Sequence, residues 1–315
     1  MRPLSSLLLL LCCLASAQHK PAPATPAGEE PTFTSDTRLV VLPVSVSDRS
    51  GKLVTDLQQK SFKVYENGVE QPIKVFKRED VPISLGLIVD NSGSMKEKRQ
   101  KVEIASLDLV KASNPHDEVF IVNFNDEPYL DVEFTNDIKK MEEGLARIDA
   151  RGGTAMRDAI NGAIDYLKQK GKNPKKVLLV VTDGNDNASN IGLERLVDRA
   201  RQSEVLIYAI GLLDEEEHRE AKAAKRALNA LTLESGGLSF YPKGVADVDA
   251  IALQVAHEIR NQYTIAYSPL VQAMDGSFRQ IKVVVNGPGH PTVRTRTGYY
   301  ATPDSASKKA VSSTN

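Results

Sequence analysis

Short apolar runs alternate with amphipathic stretches through the middle of the chain, from residue 81 to residue 261. The apolar runs are PISLGLIVD, DEVFIVNFND, KKVLLVVTDG, SEVLIYAIGL and GGLSFYP. Continuous apolar strands that alternate with helices are typical of a mostly parallel sheet covered on both faces. The pattern therefore predicts an α/β domain with a doubly wound, mostly parallel sheet.

Apolar residues recur at helical spacing between these runs. DVDAIALQVAHEIRN predicts the last helix of the domain, over residues 247–261. Three earlier helical stripes are formed by Ile138, Met141, Leu145 and Ile148, by Met156, Ile160, Ala163, Ile164 and Leu167, and by Leu193, Leu196, Val197 and Ala200.

Both flanks of this domain show the two-residue alternation of half-buried strands. On the N-terminal side, RLVVLPVSVSD precedes the turn DRSG, and the runs SFKVYENG and QPIKVFKRE are joined at Asn67-Gly68, which predicts a hairpin. QYTIAYSP, SFRQIKVVVN and TVRTRTGYYA alternate on the C-terminal side. Neither flank is large enough to close a core alone, whereas together they supply about six strands. We predict a small β-sandwich built from residues 35–80 and 262–302, with the α/β domain of residues 81–261 inserted in it.

The two ends of the chain differ in composition from the folded middle. Arg2, the apolar segment Leu4 to Leu14 and the small residues Ala15-Ser16-Ala17 follow in the order of a secretory signal peptide. We predict residues 1–17 as a signal peptide cleaved after Ala17. Residues 18–34 are then a disordered Pro/Ala-rich linker, and residues 303–315 a disordered tail.

The cysteine content and the charge of the chain restrict the cellular compartment and the kinds of binding site that we expect. Both cysteines, Cys12 and Cys13, lie in the predicted signal peptide, so disulfides and zinc–thiolate sites are excluded from the mature chain. No later segment is long and apolar enough for a membrane helix. The formal net charge is -1 with dispersed Lys and Arg, which gives no reason to expect nucleic acid as a partner. We expect a secreted or periplasmic protein.

Oxygen-bearing side chains follow the predicted strands where the strands end. Asp90 ends one apolar run and is followed by Ser92 and Ser94, Asp183 ends another, and Thr154 lies on the glycine-containing loop ARGGTAMRDA. Because the carboxyl ends of parallel strands converge at one edge of a sheet, we expect the five residues to lie together. Alternate residues that leave a strand point the same way, so D-x-S-x-S directs three oxygens towards one point.

These five side chains form a set of hard oxygen donors. Such donors suit Mg²⁺, Mn²⁺ or Ca²⁺ and disfavour softer metals. Only two of them are carboxylates, so an ion here stays electron-poor and keeps waters, one of which an acidic partner side chain can replace. The pattern therefore predicts binding rather than catalysis.

A purely structural role is the alternative for the same residues. Ser, Thr and Asp are favoured helix N-caps, and Asp183 could equally be a turn residue in TDGND. We favour the metal site because three separate segments each place an oxygen donor on the same predicted rim. Asp126 also falls on this rim, where it either orients a metal-bound water or is an ordinary loop residue. Asp186 and Asn187 either support the ligands from behind or are ordinary loop residues.

The ordered set Asp90-Asn91-Ser92-Gly93-Ser94, Thr154 and Asp183 resembles the metal-ion-dependent adhesion site (MIDAS) of von Willebrand factor A (VWA) domains, including integrin I domains. The resemblance covers the α/β domain and implies a Rossmann-like VWA fold. It also implies a divalent cation, Mg²⁺ first and Mn²⁺ or Ca²⁺ as alternatives, held by these residues directly or through water. The flanking motifs VYENGVEQPI and RTRTGYYA resemble secreted bacterial VWFA-related proteins described from acidobacteria.

The resemblance implies a metal-ion-dependent protein-binding or adhesion module whose ion coordinates an Asp or Glu carboxylate of a protein partner. By analogy with integrin I domains, the last helix could transmit occupancy of the site to the sandwich. A passive scaffold with a non-essential metal site is one alternative, and its partner binding would be indifferent to chelators.

A Mg²⁺-dependent phosphohydrolase is the other alternative. Asp90 after an apolar strand is similar to the aspartyl nucleophile of haloacid-dehalogenase-like phosphatases. That chemistry normally wants a second carboxylate two residues later, where Ser92 stands. The sequence has no G-x-x-x-x-G-K-[ST] or G-x-S-x-G motif, and no histidine is placed to activate a serine. We therefore expect that the protein is not an enzyme.

Overall fold

A six-stranded sheet forms the centre of the α/β domain. The structure is a computed structural model that describes residues 38–112, 114–146, 150–213, 218–287 and 289–302. Strands are numbered β1 to β14 and helices α1 to α6 in chain order. The sheet contains, in spatial order, β10 (Ser239–Phe240), β9 (Leu206–Gly211), β8 (Lys175–Thr182), β5 (Ile83–Asp90), β6 (Glu118–Phe124) and β7 (Pro128–Thr135).

The sheet is parallel except at one edge. All neighbouring pairs from β10 to β6 are parallel, whereas β7 runs antiparallel to β6. All eight residues of the central strand β5 are buried, as expected for a strand covered on both faces. The α/β prediction is thus confirmed.

Helices cover both faces of this sheet and complete two apolar cores. The first face is covered by α1 (Arg99–Lys111), α2 (Ile138–Leu145) and α6 (Val248–Arg260), and the second by α3 (Met156–Lys170), α4 (Leu193–Ser203) and α5 (His218–Ser235). The helical stripes predicted from the sequence become α2, α3 and α4, and the predicted last helix becomes α6. None of the helices in the described ranges is long and apolar enough to cross a bilayer.

Some elements differ from the sequence prediction or lie beyond what the structure describes. The apolar pattern does not predict α5 or the edge strand β7, in which Tyr129 and Leu130 are exposed. Residues 1–17, 18–34 and 303–315, predicted as signal peptide, linker and tail, lie outside the described residues. Ile148 of the first helical stripe also lies outside them.

Two four-stranded antiparallel sheets, built from both flanks of the α/β domain, form the β-sandwich. One sheet has the order β13 (Thr292–Arg294), β1 (Val40–Ser47), β11 (Tyr263–Tyr267) and β4 (Ile73–Lys77). The other has the order β14 (Gly298–Tyr300), β12 (Phe278–Val285), β2 (Phe62–Glu66) and β3 (Val69–Gln71). One apolar core draws on both sheets and on both flanks, which confirms the predicted sandwich with eight strands rather than about six.

The hairpin at Asn67-Gly68 is present, but its second arm is shorter than the sequence predicts. Asn67 and Gly68 have φ angles of 48° and 83°, the left-handed conformation of a tight hairpin turn. The run QPIKVFKRE is not one strand, because the chain leaves the hairpin sheet at Pro72 and β4 joins the other sheet. Proline has no backbone N–H for a sheet ladder, which accounts for the break. TVRTRTGYYA is likewise divided between β13 and β14 in different sheets.

A buried polar cluster joins the last helix of the α/β domain to the sandwich. Glu258 of α6 is 3% exposed and accepts hydrogen bonds from Ser45 Oγ at 3.1 Å and Tyr208 Oη at 3.0 Å. Its Oε1 atom lies 2.8 Å from Arg294 Nη2 of β13. Gln262 Nε2 donates to Ser45 Oγ and to Tyr208 Oη. The carboxylate of Glu258 therefore connects α6 with two sheets. Tyr208 belongs to the six-stranded sheet, and Ser45 and Arg294 belong to the β13-β1-β11-β4 sheet of the sandwich.

Replacement of Gly86 by alanine tests the packing of the central sheet. A methyl group at Gly86 in β5 would lie 2.4 Å from Phe120 Cζ and 2.5 Å from Leu178 Cδ2. We expect Gly86→Ala to lower the free energy of unfolding, measured by urea denaturation, by about 1–3 kcal/mol. Gly162→Ala in α3 is the matched control, since a methyl group there meets nothing within 4 Å. It should raise stability by about 0.5–1 kcal/mol, and equal effects of the two changes would contradict this packing.

Replacement of Glu258 by glutamine tests the junction. The change removes the charge that compensates Arg294, so we expect the free energy of unfolding to fall by about 1–3 kcal/mol. Glu70→Gln, which removes the exposed partner of Lys63 on the same sandwich, should leave stability nearly unchanged. Urea denaturation of the three proteins measures both effects, and a stable Glu258→Gln variant would show that the cluster holds nothing together.

Candidate metal site

The register between β5 and β8 brings the two predicted acidic ligands to one edge of the sheet. Val89 pairs with Val181, so Asp90 lies beside Thr182 and Asp183 follows immediately. Ser92 follows shortly after β5, and Ser94 lies in the short 3-10 turn Gly93–Met95 that comes next. The sequence therefore folds so that D-x-S-x-S and Asp183 converge at the carboxyl ends of neighbouring strands.

Asp90 is fully buried, and both of its oxygens accept hydrogen bonds. Oδ1 accepts from the backbone N–H of Ser92 at 2.8 Å, and Oδ2 accepts from Thr182 Oγ1 at 2.5 Å. Burial raises the pKa of Asp90 above its usual value, while the hydrogen bonds of Ser92 and Thr182 oppose the shift. The negative charge of Asp183 adds to the increase. The rim thus concentrates negative charge where water does not reach Asp90.

Hydroxyl groups connect this carboxylate with Asp183. Ser92 Oγ and Ser94 Oγ are 3.2 Å apart, and Ser94 Oγ donates to Asp183 Oδ1 at 2.7 Å. Lys98 Nζ donates to the other oxygen, Asp183 Oδ2, at 2.7 Å. The Asp183 side chain is 1% exposed and that of Lys98 is 28% exposed. Four of the five predicted ligands therefore belong to one hydrogen-bonded chain, and a cation already contacts it.

Thr154, the fifth predicted ligand, lies beside this chain. It is buried, and its backbone N–H donates to Asn187 Oδ1 at 2.9 Å. Its carbonyl oxygen accepts from the N–H groups of Asn187 and Ala188. A methyl group at Gly184, the residue after Asp183, would lie 3.7 Å from Thr154 Oγ1. The hydroxyl of Thr154 therefore faces the same rim, and Asn187 fixes the loop that carries it.

The glycine loop before Thr154 packs closely on Asp126. Asp126 Oδ1 accepts from the N–H of Gly153 at 2.7 Å. Gly152 has a φ of 75°, and a methyl group there would lie 2.1 Å from Asp126 Oδ2, so only glycine fits. Asp126 thus holds the loop, and the idea that it also orients a metal-bound water stays a prediction.

Asp186 lies in the loop after β8 and accepts hydrogen bonds from that loop and from α3. Its Oδ2 accepts from the backbone N–H of Arg157 at 2.6 Å and from Ser189 Oγ at 2.7 Å. Oδ1 accepts from Arg157 Nη2 at 2.9 Å. Asp186 therefore ties the loop after Asp183 to the start of α3 and supports the site from outside.

The structure contradicts helix capping as the role of the hydroxyls. Ser92 precedes the 3-10 turn without a side-chain capping bond, and the residue that precedes α3 is Ala155 rather than Thr154. Lys98 occupies the N-cap position of α1. Asp183 accepts from Ser94 and Lys98 and not from backbone donors of its own turn. The donors are thus directed at one another across the rim.

Three groups at the site were missed by the sequence reasoning: Thr182, Lys98 and Arg99. Arg99 is 1% exposed and donates to Asn123 Oδ1 at 2.8 Å and to Asn91 Oδ1 at 3.4 Å. Burial lowers its pKa to about 10, so Arg99 is charged at neutral pH. The two basic residues at 98 and 99 were the available signal, because cations are disfavoured at the start of a helix unless they have partners.

The donor set fits a hard divalent cation. Carboxylate and hydroxyl oxygens are the ligands that Mg²⁺ and Ca²⁺ prefer, and the ammonium group on Asp183 is itself a cation at this rim. Across the ranges that the structure covers, no three His, Cys, Asp or Glu side chains cluster in a way that suits a metal. A site with two carboxylates and three hydroxyls differs from such clusters by its low charge.

Comparisons with solved structures show distant similarities. An aerotolerance-related membrane protein from Bacteroides fragilis is 17% identical, with a TM-score of 0.46, over 56% of this chain and 98% of that one. The von Willebrand factor domain of the type V pilus tip protein Mfa5 from Porphyromonas gingivalis is 13% identical, with a TM-score of 0.46, over 57% and 97%. A von Willebrand factor type A protein from Catenulispora acidiphila is 12% identical, with a TM-score of 0.48, over 84% and 75%. The search of curated proteins found no match.

A family model matches the central part of the chain. Residues 85–185 match the model described as von Willebrand factor type A domain. The matched region contains most of β5, all of β6 and β8, and all five predicted ligands. It coincides with the central part of the parallel sheet. This central part of the chain is therefore similar to a von Willebrand factor type A domain.

Proposed function

We propose that Asp90, Ser92, Ser94, Thr154 and Asp183 bind a divalent cation, Mg²⁺ first and Mn²⁺ or Ca²⁺ as alternatives. We propose further that the bound ion captures an acidic group of a protein partner. The observation that carries the proposal is the hydrogen-bonded chain from Asp90 to Asp183, in which the serine hydroxyls cap no helix. These groups are the donors of the MIDAS that the sequence resembles.

Each residue has a separate task in this proposal. Asp90 and Asp183 supply negative charge from buried positions, and Ser92 and Ser94 supply neutral oxygens between them. Thr154 contributes a hydroxyl from the opposite loop. The ion, when bound, supplies a positive charge that attracts a carboxylate. Two carboxylates balance the formal charge of the ion, but the hydroxyls and waters that complete its shell are weak donors, so the ion stays electron-poor enough to take a third carboxylate.

The rim is open on the side where a partner would approach. Gly93 and Ser94 are exposed, whereas Asp90 and Ser92 are buried. A carboxylate can therefore reach the Ser94 side of the site without a rearrangement of the sheet. Proteins with VWA domains typically mediate protein–protein interaction or adhesion, which supports a protein as the partner.

Two alternatives are less well supported. A phosphohydrolase of this type would need a second carboxylate two residues after Asp90 as its acid and base, but Ser92 stands in that place. We therefore propose that the protein is not an enzyme. A passive scaffold would need no chain of oxygen donors that runs from the buried Asp90 to the exposed Ser94.

We further propose that the protein is exported. The support is the order of charged, apolar and small residues in residues 1–17. The absence of cysteine after Cys13 is compatible with secretion or with the periplasm. The narrower resemblance to acidobacterial VWFA-related proteins stays a prediction.

Titration of Mg²⁺ and Mn²⁺ into the protein by calorimetry tests the site. We expect saturable binding to the wild type. In Asp183→Asn, binding should weaken at least about a hundredfold, because loss of a charged ligand costs more than the ten- to hundredfold typical of a group that only orients one.

Asp198→Asn is the matched control. It removes an exposed carboxylate on α4, remote from the rim, and should leave binding unchanged. Circular dichroism verifies that each variant is folded. Ion binding that survives in folded Asp183→Asn would reject the proposed ligand set, whereas no saturable binding to the wild type would favour the scaffold.

Hydrolysis of p-nitrophenyl phosphate in the presence of Mg²⁺ tests the enzyme alternative. Because Ser92 stands where a second carboxylate would act as acid and base, we expect the wild type to show no more turnover than Asp90→Asn. Turnover that depends on Mg²⁺ and disappears in Asp90→Asn would establish the phosphohydrolase instead.

A further inference from the structure

Lys98 places a cation on a proposed metal ligand, which a metal-binding site does not require. Its Nζ atom donates to Asp183 Oδ2 at 2.7 Å, with 28% of the Lys98 side chain exposed. The Asp183 side chain is 1% exposed, so the ammonium group covers its second oxygen. Lys98 therefore already contacts an oxygen of Asp183, which is one of the proposed metal ligands.

The position of Lys98 in the chain is unfavourable apart from this contact. Lys98 is the N-cap residue of α1 and makes no side-chain capping bond. Lysine is a poor N-cap, and a cation is repelled by the positive end of the helix dipole. Backbone bonds fix the residue there, from the Lys98 N–H to Met95 O and from the Val102 N–H to Lys98 O. The contact with Asp183 is the favourable interaction that offsets these costs.

The negative charges at the rim explain why Lys98 forms an ion pair with Asp183. Asp90 and Asp183 are two buried carboxylates on neighbouring strands, and the charge of Asp183 makes ionisation of Asp90 harder. Arg99 is buried next to the rim and interacts electrostatically with Asp90. Lys98 supplies the second positive charge, to Asp183. Arg99 is shared among Asp90, Glu103 and Asp131, whereas the ammonium group of Lys98 is in direct contact with Asp183.

We propose that Lys98 is a tethered cation that competes with the divalent ion for Asp183. The inference rests on the proposed function and describes how that site is regulated. An ion held by Asp183 shares the carboxylate with the ammonium group, so the two cations repel each other and Lys98 must leave. Its partial exposure gives it a path to solvent.

Competition of this kind has two consequences. The protein is stable without a metal, because Asp183 always has a counter-charge. Affinity for the ion alone is weakened, so a partner carboxylate that adds its own negative charge raises occupancy. Lys98 thereby couples metal binding to partner binding.

Substitution of Lys98 by a neutral residue tests the proposal. We expect Lys98→Gln to bind Mn²⁺ about tenfold more tightly than the wild type in calorimetry at fixed ionic strength, about 1.4 kcal/mol. Lys98→Arg keeps the charge and should stay close to the wild type. Lys96→Gln, which removes an exposed neighbouring lysine, is the matched control and should change affinity by less than about twofold because salt screens it.

Thermal unfolding in EDTA gives a second readout that needs no metal. Lys98→Gln leaves Asp183 without its counter-charge, so we expect its Tm in EDTA to fall below those of Lys96→Gln and the wild type. If Lys98→Gln has the same Tm in EDTA as the wild type, the proposal that Lys98 serves as the counter-charge of Asp183 is overturned. Circular dichroism verifies that each variant is folded.

The outcomes separate this inference from the proposed function. Binding by the wild type with equal or weaker binding by Lys98→Gln overturns the competition and leaves the metal site intact. Binding by Lys98→Gln alone supports competition in its strongest form. No binding by any of the four proteins overturns both the proposed function and the role of Lys98.

Discussion

The parallel pairing of β5 with β8 is the constraint on which the site depends. Val89 faces Val181 in this register, so each strand delivers its terminal polar residues to the same edge. Thr182 then reaches Asp90, and Asp183 reaches Ser94. A different register would separate these donors, since each residue of slip moves a side chain to the other face of the sheet. The apolar cores on both faces of the sheet fix the register. The packing of these cores therefore determines which polar side chains meet at the rim.

Burial of two carboxylates at one edge needs compensation, and the fold provides it in different ways. Asp90 receives a backbone N–H and a hydroxyl, whereas Asp183 receives a hydroxyl and an ammonium group. Buried charges without partners are strongly destabilising, so these bonds are requirements of the folded state. In the function that we propose, the rim exchanges the ammonium group of Lys98 for a divalent ion. Stability without an ion and the proposed affinity for an ion would then depend on the same oxygens.

The sequence predicts the main layout and misses what depends on three-dimensional register. Asp90 and Asp183 could be placed because each ends a continuous apolar run, and the sandwich could be placed because neither flank closes a core alone. Lys98 could not be assigned to Asp183, because that contact depends on where α1 begins and how β5 pairs with β8. The exit of the chain from its hairpin sheet at Pro72 was missed because alternation continues through it. Local patterns thus predict the strands, whereas the partner of a polar side chain is decided by tertiary packing.

The most direct test is a crystal structure of the protein grown with Mn²⁺, with an anomalous difference map to locate the ion. We predict a peak bonded by the hydroxyls of Ser92 and Ser94, with the ammonium group of Lys98 withdrawn from Asp183. An absence of any peak at the rim, with Lys98 still 2.7 Å from Asp183, would contradict it.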